Sequence, residues 1–306
     1  MDSFKKIPAS GPDGAEAMAR VLAESAPLAR QWAADLCWHD PKDGESCAWY
    51  HGAWQTLRLL GIVTTLTQQS ELYIDALRPL IAAGGHKRVF LSGSADYGLL
   101  SVVLEAFGKE AVTPEITVVD RCQTPLELCR WYAGRYGYAI ETARSDLQSF
   151  RAPAPYDLIC VHSLLSCVPV EHHAEIVATW HSLLRPGGIL MMANNLYIGN
   201  TAKVSRFTPE QITAYQDRVA KAAETCPTPD ALPPAADLRN MAATYASHMS
   251  GSIISSREQL TGLLEKQGFV LEETRFGNLV KNRNHQRSGA PTPGKREYAW
   301  IVARRS

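Results

Sequence analysis

KRVFLSGSADYGLL, residues 87–100, is the stretch whose reading decides the fold. Residues 89–91 form an apolar run of the length of a short buried strand. The run passes into a turn of small and polar residues, Ser92-Gly93-Ser94-Ala95-Asp96-Tyr97-Gly98, and a helical pattern begins at Leu99. A parallel α/β sheet uses such a strand, tight turn and helix to hold a nucleoside beyond a strand end. The turn is not G-x-G-x-x-G, so the flanking segments must carry the assignment.

Downstream, strands and helices alternate. Residues 115–119 read as a strand ending at Asp120. Thr124-Pro125-Leu126-Glu127 predicts a helix with a capping box and proline at its first position, running to about residue 136. Residues 138–141 form a short strand before Ser145-Asp146-Leu147, and 156–161 a strand leading to His162-Ser163-Leu164-Leu165. A helix over 171–184 stops at Arg185-Pro186-Gly187-Gly188, and a strand over 189–192 leads to Ala193-Asn194-Asn195. This alternation predicts a parallel sheet covered on both faces.

The pattern then pauses. Residues 208–224 and 235–248 read as helices separated by CPTPDALPP, and Ser255-Ser256-Arg257-Glu258 opens a capped helix that stops at Gly268. Strands over 269–276 and 298–304 follow, separated by a polar segment, 281–295, that is too long for a tight hairpin and reads as mobile. Upstream, residues 1–14 read as a loose tail and 15–36 as a helix interrupted near Pro27. Residues 46–61 read as a helix carrying Trp49, Tyr50, His51, Trp54 and Arg58, and 70–81 as a helix stopped by Gly84-Gly85.

The 306 residues are 45% hydrophobic and 20% charged, ordinary values for a soluble globular enzyme. Lys plus Arg equals Asp plus Glu at 31 each, so net charge gives no case for nucleic acid or an anionic membrane. No apolar run approaches the ~20 residues of a membrane span. MDSFKKIPASGPDG lacks an apolar leader, which makes a cytoplasmic location the expectation. Seven cysteines, at 37, 47, 122, 129, 160, 167 and 226, form no C-x-x-C pair. They read as thiols in a reducing compartment, with no metal site expected.

Ligands of such sheets sit beyond the carboxyl ends of the strands. Asp120, ending the second strand, can accept hydrogen bonds from both hydroxyls of a ribose, with Arg121 beside it. Asp146 followed by Leu147 suits an adenine amino group beside an apolar contact. A nicotinamide site would want a cleaner glycine turn, and the missing G-K-[ST] excludes a P-loop.

On these elements, residues 86–303 resemble the class I S-adenosylmethionine-dependent methyltransferases. The order matches: small turn, acid after the second strand, acid after the third, Tyr156-Asp157-Leu158-Ile159 opening the fourth, and Leu183-Leu184-Arg185-Pro186-Gly187-Gly188 before the fifth. The resemblance implies a Rossmann-like, seven-stranded, mostly parallel sheet with its last strand antiparallel. It implies residues 1–85 as a helical cap and 86–306 as the catalytic domain, with a helical insertion over 200–250. It further implies S-adenosyl-L-methionine as cofactor, passing Gly93, Ser94, Ala95, Asp96 and Tyr97, with Asp120 on the ribose, Asp146-Leu147 on the adenine, and His162 and Ser163 beyond the fourth strand. The turn departs from the family: Leu91 replaces an acid, and Ala95 and Tyr97 replace glycines. The Tyr97 ring either packs on neighbouring helices or faces the sulfonium.

Methyl transfer from a sulfonium needs positioning more than acid–base machinery. His162, Tyr50 and His51 are the candidate catalytic residues, and Tyr50, Trp54, Arg58, Asn194, Asn195, Tyr197 and Tyr245 the candidate substrate contacts. His162-Ser163-Leu164-Leu165 is not the N/D-P-P-Y of base methylation, which leaves a small polar metabolite, such as an amino acid or amine, as the expected acceptor. A cyclase or aminocarboxypropyl transferase releasing methylthioadenosine, and a non-catalytic cofactor-binding module, are the alternatives.

Overall fold

The computed structural model describes residues 12–40, 42, 44–63, 66, 69–278, 290 and 295–306. The tail expected over 1–14 and the polar segment 281–295 fall almost wholly outside these residues.

Five strands run parallel: β1 (Arg88–Ser92), β2 (Glu115–Asp120), β3 (Glu141–Arg144), β4 (Tyr156–His162) and β5 (Leu184–Ile198). A two-stranded antiparallel sheet, β6 (Val204–Arg206) with β7 (Ser250–Ser252), stands apart. Two long strands, β8 (Phe269–Gly277) and β9 (Lys295–Arg305), complete a seven-stranded sheet of order β3-β2-β1-β4-β5-β9-β8, with β9 antiparallel to both neighbours. This is the Rossmann-like arrangement expected from the sequence.

The apolar runs of β1, β4 and β5 explain their central place, since a strand buried on both faces needs no polar alternation. On one face, α1 (Pro12–Leu36), α3 (Ser70–Ala82), α4 (Gly98–Lys109) and α5 (Gln123–Arg135) pack around Val89, Leu91, Leu158 and Met191. On the other, α6 (His173–Leu183) and α9 (Arg257–Lys266) cover Phe90, Ile159, Leu190 and Ile301. A third cluster joins α2 (Ala48–Leu59) to α7 (Pro209–Glu224) and α8 (Ala235–His248) through Leu57, Tyr215, Val219, Leu238 and Tyr245.

Three local expectations change. α1 runs unbroken through Pro27, because burial of Met18, Val21, Leu22 and Ala29 along one stripe outweighs a single missing backbone bond. The capping box at Thr124 does not form: Cys122 is the N-cap of α5, and the Thr124 hydroxyl bonds instead to the Trp32 carbonyl at 3.1 Å. The third strand is displaced to Glu141–Arg144, the register set by Asp120 opposite Arg144.

The Arg-Pro-Gly-Gly element lies at the end of the sheet where the parallel strands begin. Arg185 Nε donates to Asp157 Oδ1 at 2.6 Å, while Asp157 Oδ2 accepts from the backbone amides of Lys87 (3.0 Å) and Arg88 (2.9 Å). One carboxylate thus ties the starts of β1, β4 and β5 together. A Cβ on Gly188 would stand 2.9 Å from the Arg185 carbonyl, so the close approach of these segments requires glycine there.

Candidate functional site

The carboxyl ends of β1, β2, β4 and β5 and the first residues of β9 surround a cavity of about 290 Å³. Its floor is the turn after β1. Gly93 holds φ +67°, which demands glycine of the backbone, and a Cβ there would lie 2.7 Å from Leu164 Cδ1 and push that side chain aside. The Gly93 amide donates to the Val119 carbonyl (3.0 Å), and the Ser94 amide to Asp120 Oδ2 (2.9 Å). The Cys122 amide donates to Asp120 Oδ1 at 2.8 Å, fixing the carboxylate at the cavity wall. Burial pushes the Asp120 carboxyl upward, and the Ser94 amide opposes that shift.

Asp96 caps the turn. Its Oδ1 accepts from the Gly98 amide (2.6 Å) at the start of α4, and its Oδ2 accepts from Gln55 Nε2 (3.0 Å) and Arg58 Nη1. Arg58 and Asp96 are both buried and both line the cavity. Arg58 Nε and Nη2 find no partner among the described residues. A buried guanidinium with two unspent donors beside a cavity is a ready partner for a ligand carboxylate.

Tyr97 takes the first of its two readings. Its ring stacks on Tyr132 (centroids 4.5 Å apart, planes at 10°), its hydroxyl lies 2.9 Å from Ser25 Oγ, and it does not line the cavity.

Beyond β4, His162 lines the cavity and is held from behind by Tyr73. The Tyr73 hydroxyl donates to the Val161 carbonyl (2.5 Å) and accepts from the Ala193 amide (3.2 Å). Its proton being spent, the 3.3 Å contact with His162 Nδ1 places a hydrogen on that nitrogen and leaves Nε2 with its lone pair. Burial lowers the imidazole from 6.5 to about 4, so it is neutral at pH 7. Ser163 follows in the left-handed region at φ 55°, a costly conformation for serine, with its amide bonded to the Ala193 carbonyl at 2.8 Å. Asn195 Nδ2 reaches Ser163 Oγ at 3.4 Å.

The far wall comes from β5 and β9. Arg296 donates through Nε and Nη2 to Asn195 Oδ1 (3.0 and 2.7 Å) and lies 5.6 Å from the centroids of both Tyr197 and Tyr298. Its Nη1 has no partner among the described residues. The sequence reading missed Arg296 and Tyr298. The available signal was the antiparallel last strand, whose first residues must lie at the end where β5 finishes.

From α2, Tyr50, His51, Trp54 and Arg58 reach the cavity together. Tyr50 stacks on Trp54 (5.3 Å) and on Tyr245 (6.0 Å). Burial holds the Tyr50 phenol well above its usual range. His51 Nδ1 lies 3.5 Å from Cys37 Sγ. Burial pulls its imidazole down, yet contacts with the Cys122 and Cys47 sulfurs outweigh that and raise it to about 10.

Five expected contacts fall elsewhere. Tyr245 is fully buried behind Tyr50, packed between it and Tyr215. Asn194 is fully buried, its amide bonded to the Asn195 carbonyl at 2.9 Å, because alternation along β5 turns it away from its neighbour's side. Arg121 and Asp146 form an exposed ion pair of 2.7 Å outside the cavity lining, and Leu147, also outside it, packs against the apolar cluster under α6. The Ser145 amide bonds to the Asp120 carbonyl at 3.0 Å, so this pair sits at the neighbouring strand end.

No protein-family model and no curated protein matches the chain. Among solved structures, it is similar to magnesium protoporphyrin IX methyltransferase from Synechocystis PCC 6803 with bound S-adenosylhomocysteine (13% identity, 84% of this chain and 96% of that one, TM-score 0.49). It is also similar to an S-adenosylmethionine-dependent methyltransferase from Clostridium acetobutylicum (10%, 82% and 96%, 0.49) and to the N-methyltransferase NodS from Bradyrhizobium japonicum (13%, 78% and 87%, 0.44). Likenesses at this level say nothing about chemistry, which rests on the site itself.

Proposed function

We propose that the protein is an S-adenosylmethionine-dependent methyltransferase acting on a small polar metabolite that carries a carboxylate, such as an amino acid or amino-acid-like amine. The observation that carries this reading is the pairing, in one cavity, of Asp120 at the end of β2 with the buried Arg58–Asp96 pair on the turn after β1. Asp120 takes the ribose hydroxyls, and the cofactor's zwitterionic tail has its carboxylate on Arg58 and its ammonium near Asp96. Asp146 and Leu147, one strand over, receive the adenine as Arg121 swings aside. Arg296, at the opposite wall, takes the carboxylate of the acceptor.

The residues do little bond chemistry. When bound, S-adenosylmethionine would supply a sulfonium-activated methyl group, and the chain's part is to hold the acceptor's lone pair in line with the methyl–sulfur bond. His162, neutral with Nε2 unprotonated, accepts a hydrogen bond from the attacking N–H or O–H and orients its lone pair. Tyr50 and Trp54 close the side facing α2. The α2, α7 and α8 layer with residues 200–250 covers the acceptor, and the thiol-rich chain suits a reducing cytoplasmic setting.

Titration calorimetry with S-adenosylhomocysteine, followed by mass spectrometry of reactions run with and without a panel of amino acids and amines, tests the proposal. Binding that Asp120→Ala weakens at least tenfold, with an acceptor gaining one methyl group, supports it. Methylthioadenosine formed without any acceptor points to cyclisation or aminocarboxypropyl transfer and overturns methyl transfer.

A further inference from the structure

Four ligating side chains gather behind the α2 wall of the cavity, and of them His51 alone also lines it. Cys37 follows the end of α1, Cys47 is the N-cap of α2, His51 lies one turn further along α2, and Cys122 is the N-cap of α5, two residues after Asp120. Their candidate ligand atoms all lie within 4.8 Å of one another. Cys47 Sγ is 3.5 Å from Cys122 Sγ, Cys122 Sγ is 3.5 Å from Cys37 Sγ, and Cys37 Sγ is 3.5 Å from His51 Nδ1. A tetrahedral zinc, with Zn–S about 2.3 Å and Zn–N about 2.05 Å, requires S···S of about 3.8 Å and S···N of about 3.5 Å. We propose that Cys37, Cys47, His51 and Cys122 form a closed, four-coordinate Zn²⁺ site that anchors α1 and α2 to the end of β2.

The local chain is built for it. A bridge between His39 and Ser46 and a 2.7 Å bond from the Asp40 amide to the Glu45 carbonyl return Cys47 to the side of Cys37. Cys47 and His51 stand four apart on α2 and so share a face. Cys47 and Cys122 occupy the N-caps of α2 and α5, so two helix starts converge on the same point. The soft S₃N donor set selects zinc over oxygen-seeking cations, and donors this close together leave room for one ion and not for an iron–sulfur cluster. Four protein ligands leave no open position, so the ion is structural. Binding displaces the thiol protons and the imidazolium proton to solvent, and three thiolates with a neutral imidazole leave the bound site at net −1. His51 then serves as a ligand through Nδ1.

The test uses the full chain expressed in zinc-supplemented medium and dialysed against metal-free buffer. Elemental analysis is expected to find one zinc per chain, with Cys37, Cys47 and Cys122 protected from Ellman's reagent until a chelator is added and the melting temperature falling on chelation. Cobalt replacement is expected to give the visible d–d and thiolate charge-transfer bands of a tetrahedral S₃N ion. Cys122→Ser should lose the metal, and Cys226→Ser, away from the cluster, should keep it. Because a ligand variant can fail to fold, Cys47→His is the second variant: it retains a donor and is expected to retain the ion with an altered cobalt spectrum. Wild-type protein that holds no zinc above the dialysis buffer, or that peptide mapping shows with a disulfide among the three cysteines, overturns the proposal. Neither readout involves methyl transfer.

Discussion

Asp96 and Arg58 neutralise one another inside the molecule, and a buried charge left alone costs about 3–5 kcal/mol. Asp96→Asn is therefore expected to lower the melting temperature more than the double variant Asp96→Asn/Arg58→Met, which removes both charges. Thermal melts of the three chains at pH 7 decide it. His162 gives a second test. Its folded pKa, lowered by burial to about 4, lies below the ordinary 6.5, so the unfolded chain binds a proton first as pH falls. The stability this neutral histidine contributes is complete above about pH 6.5 and is lost progressively down to about pH 4. His162→Gln should flatten the melting-temperature profile across that window. Tyr245 supplies a third: its hydroxyl is buried with no partner among the described residues. Tyr245→Phe should leave melting temperature unchanged or raise it by a degree or two, with no change in substrate KM, since ridding a core of an unpaired hydroxyl costs little. A raised KM would restore it as a substrate contact. Asp120, His162 and Asn195 were legible from the chain because strand ends in an alternating pattern mark themselves. Tyr97 was not, since a turn residue's χ angles follow from helices α1 and α5, far away in sequence.

At the scale of elements, the Arg-Pro-Gly-Gly segment that stood out most in the sequence contacts nothing in the cavity. It closes the opposite end of the sheet through Asp157. Burial alone would raise that carboxyl, but Arg185 and the two backbone amides hold it below the ordinary carboxylate range. Its contribution is present above the unfolded pKa and is lost as pH falls through the folded one. Asp157→Ala is expected to cost about 2–3 kcal/mol at pH 7, read by denaturant melts, and to leave S-adenosylhomocysteine affinity within twofold. Parallel strands were read correctly because buried apolar runs and intervening helices leave few other solutions. The start of β9 was set too late, at residue 298, because Lys295-Arg296-Glu297 is polar and only its pairing with Leu196, Tyr197 and Ile198 makes it a strand. That error hid Arg296.

Across the whole molecule, α2 is the hinge of the design. It shares one core with α7 and α8, presents Tyr50, Trp54 and Arg58 to the cavity, and brings Cys47 and His51 to Cys122. None of this is visible as a local motif. The four sulfur and nitrogen donors come from three separated segments, and the cavity from at least five, so spacing rules written for contiguous motifs pass over them. Fold class needs only local periodicity, whereas these groupings depend on how one helix is laid across the strand ends.

The stacking of Trp54 on Tyr50 at the cavity wall also makes the protein its own optical instrument. Trp180 and Trp300 are sealed in the core, and among the described residues Trp54 is the one tryptophan that borders the cavity. A Trp54→Phe variant subtracts that signal, so the difference in fluorescence between the two chains on adding a nucleoside or an acceptor reads occupancy directly, without a label and without turnover.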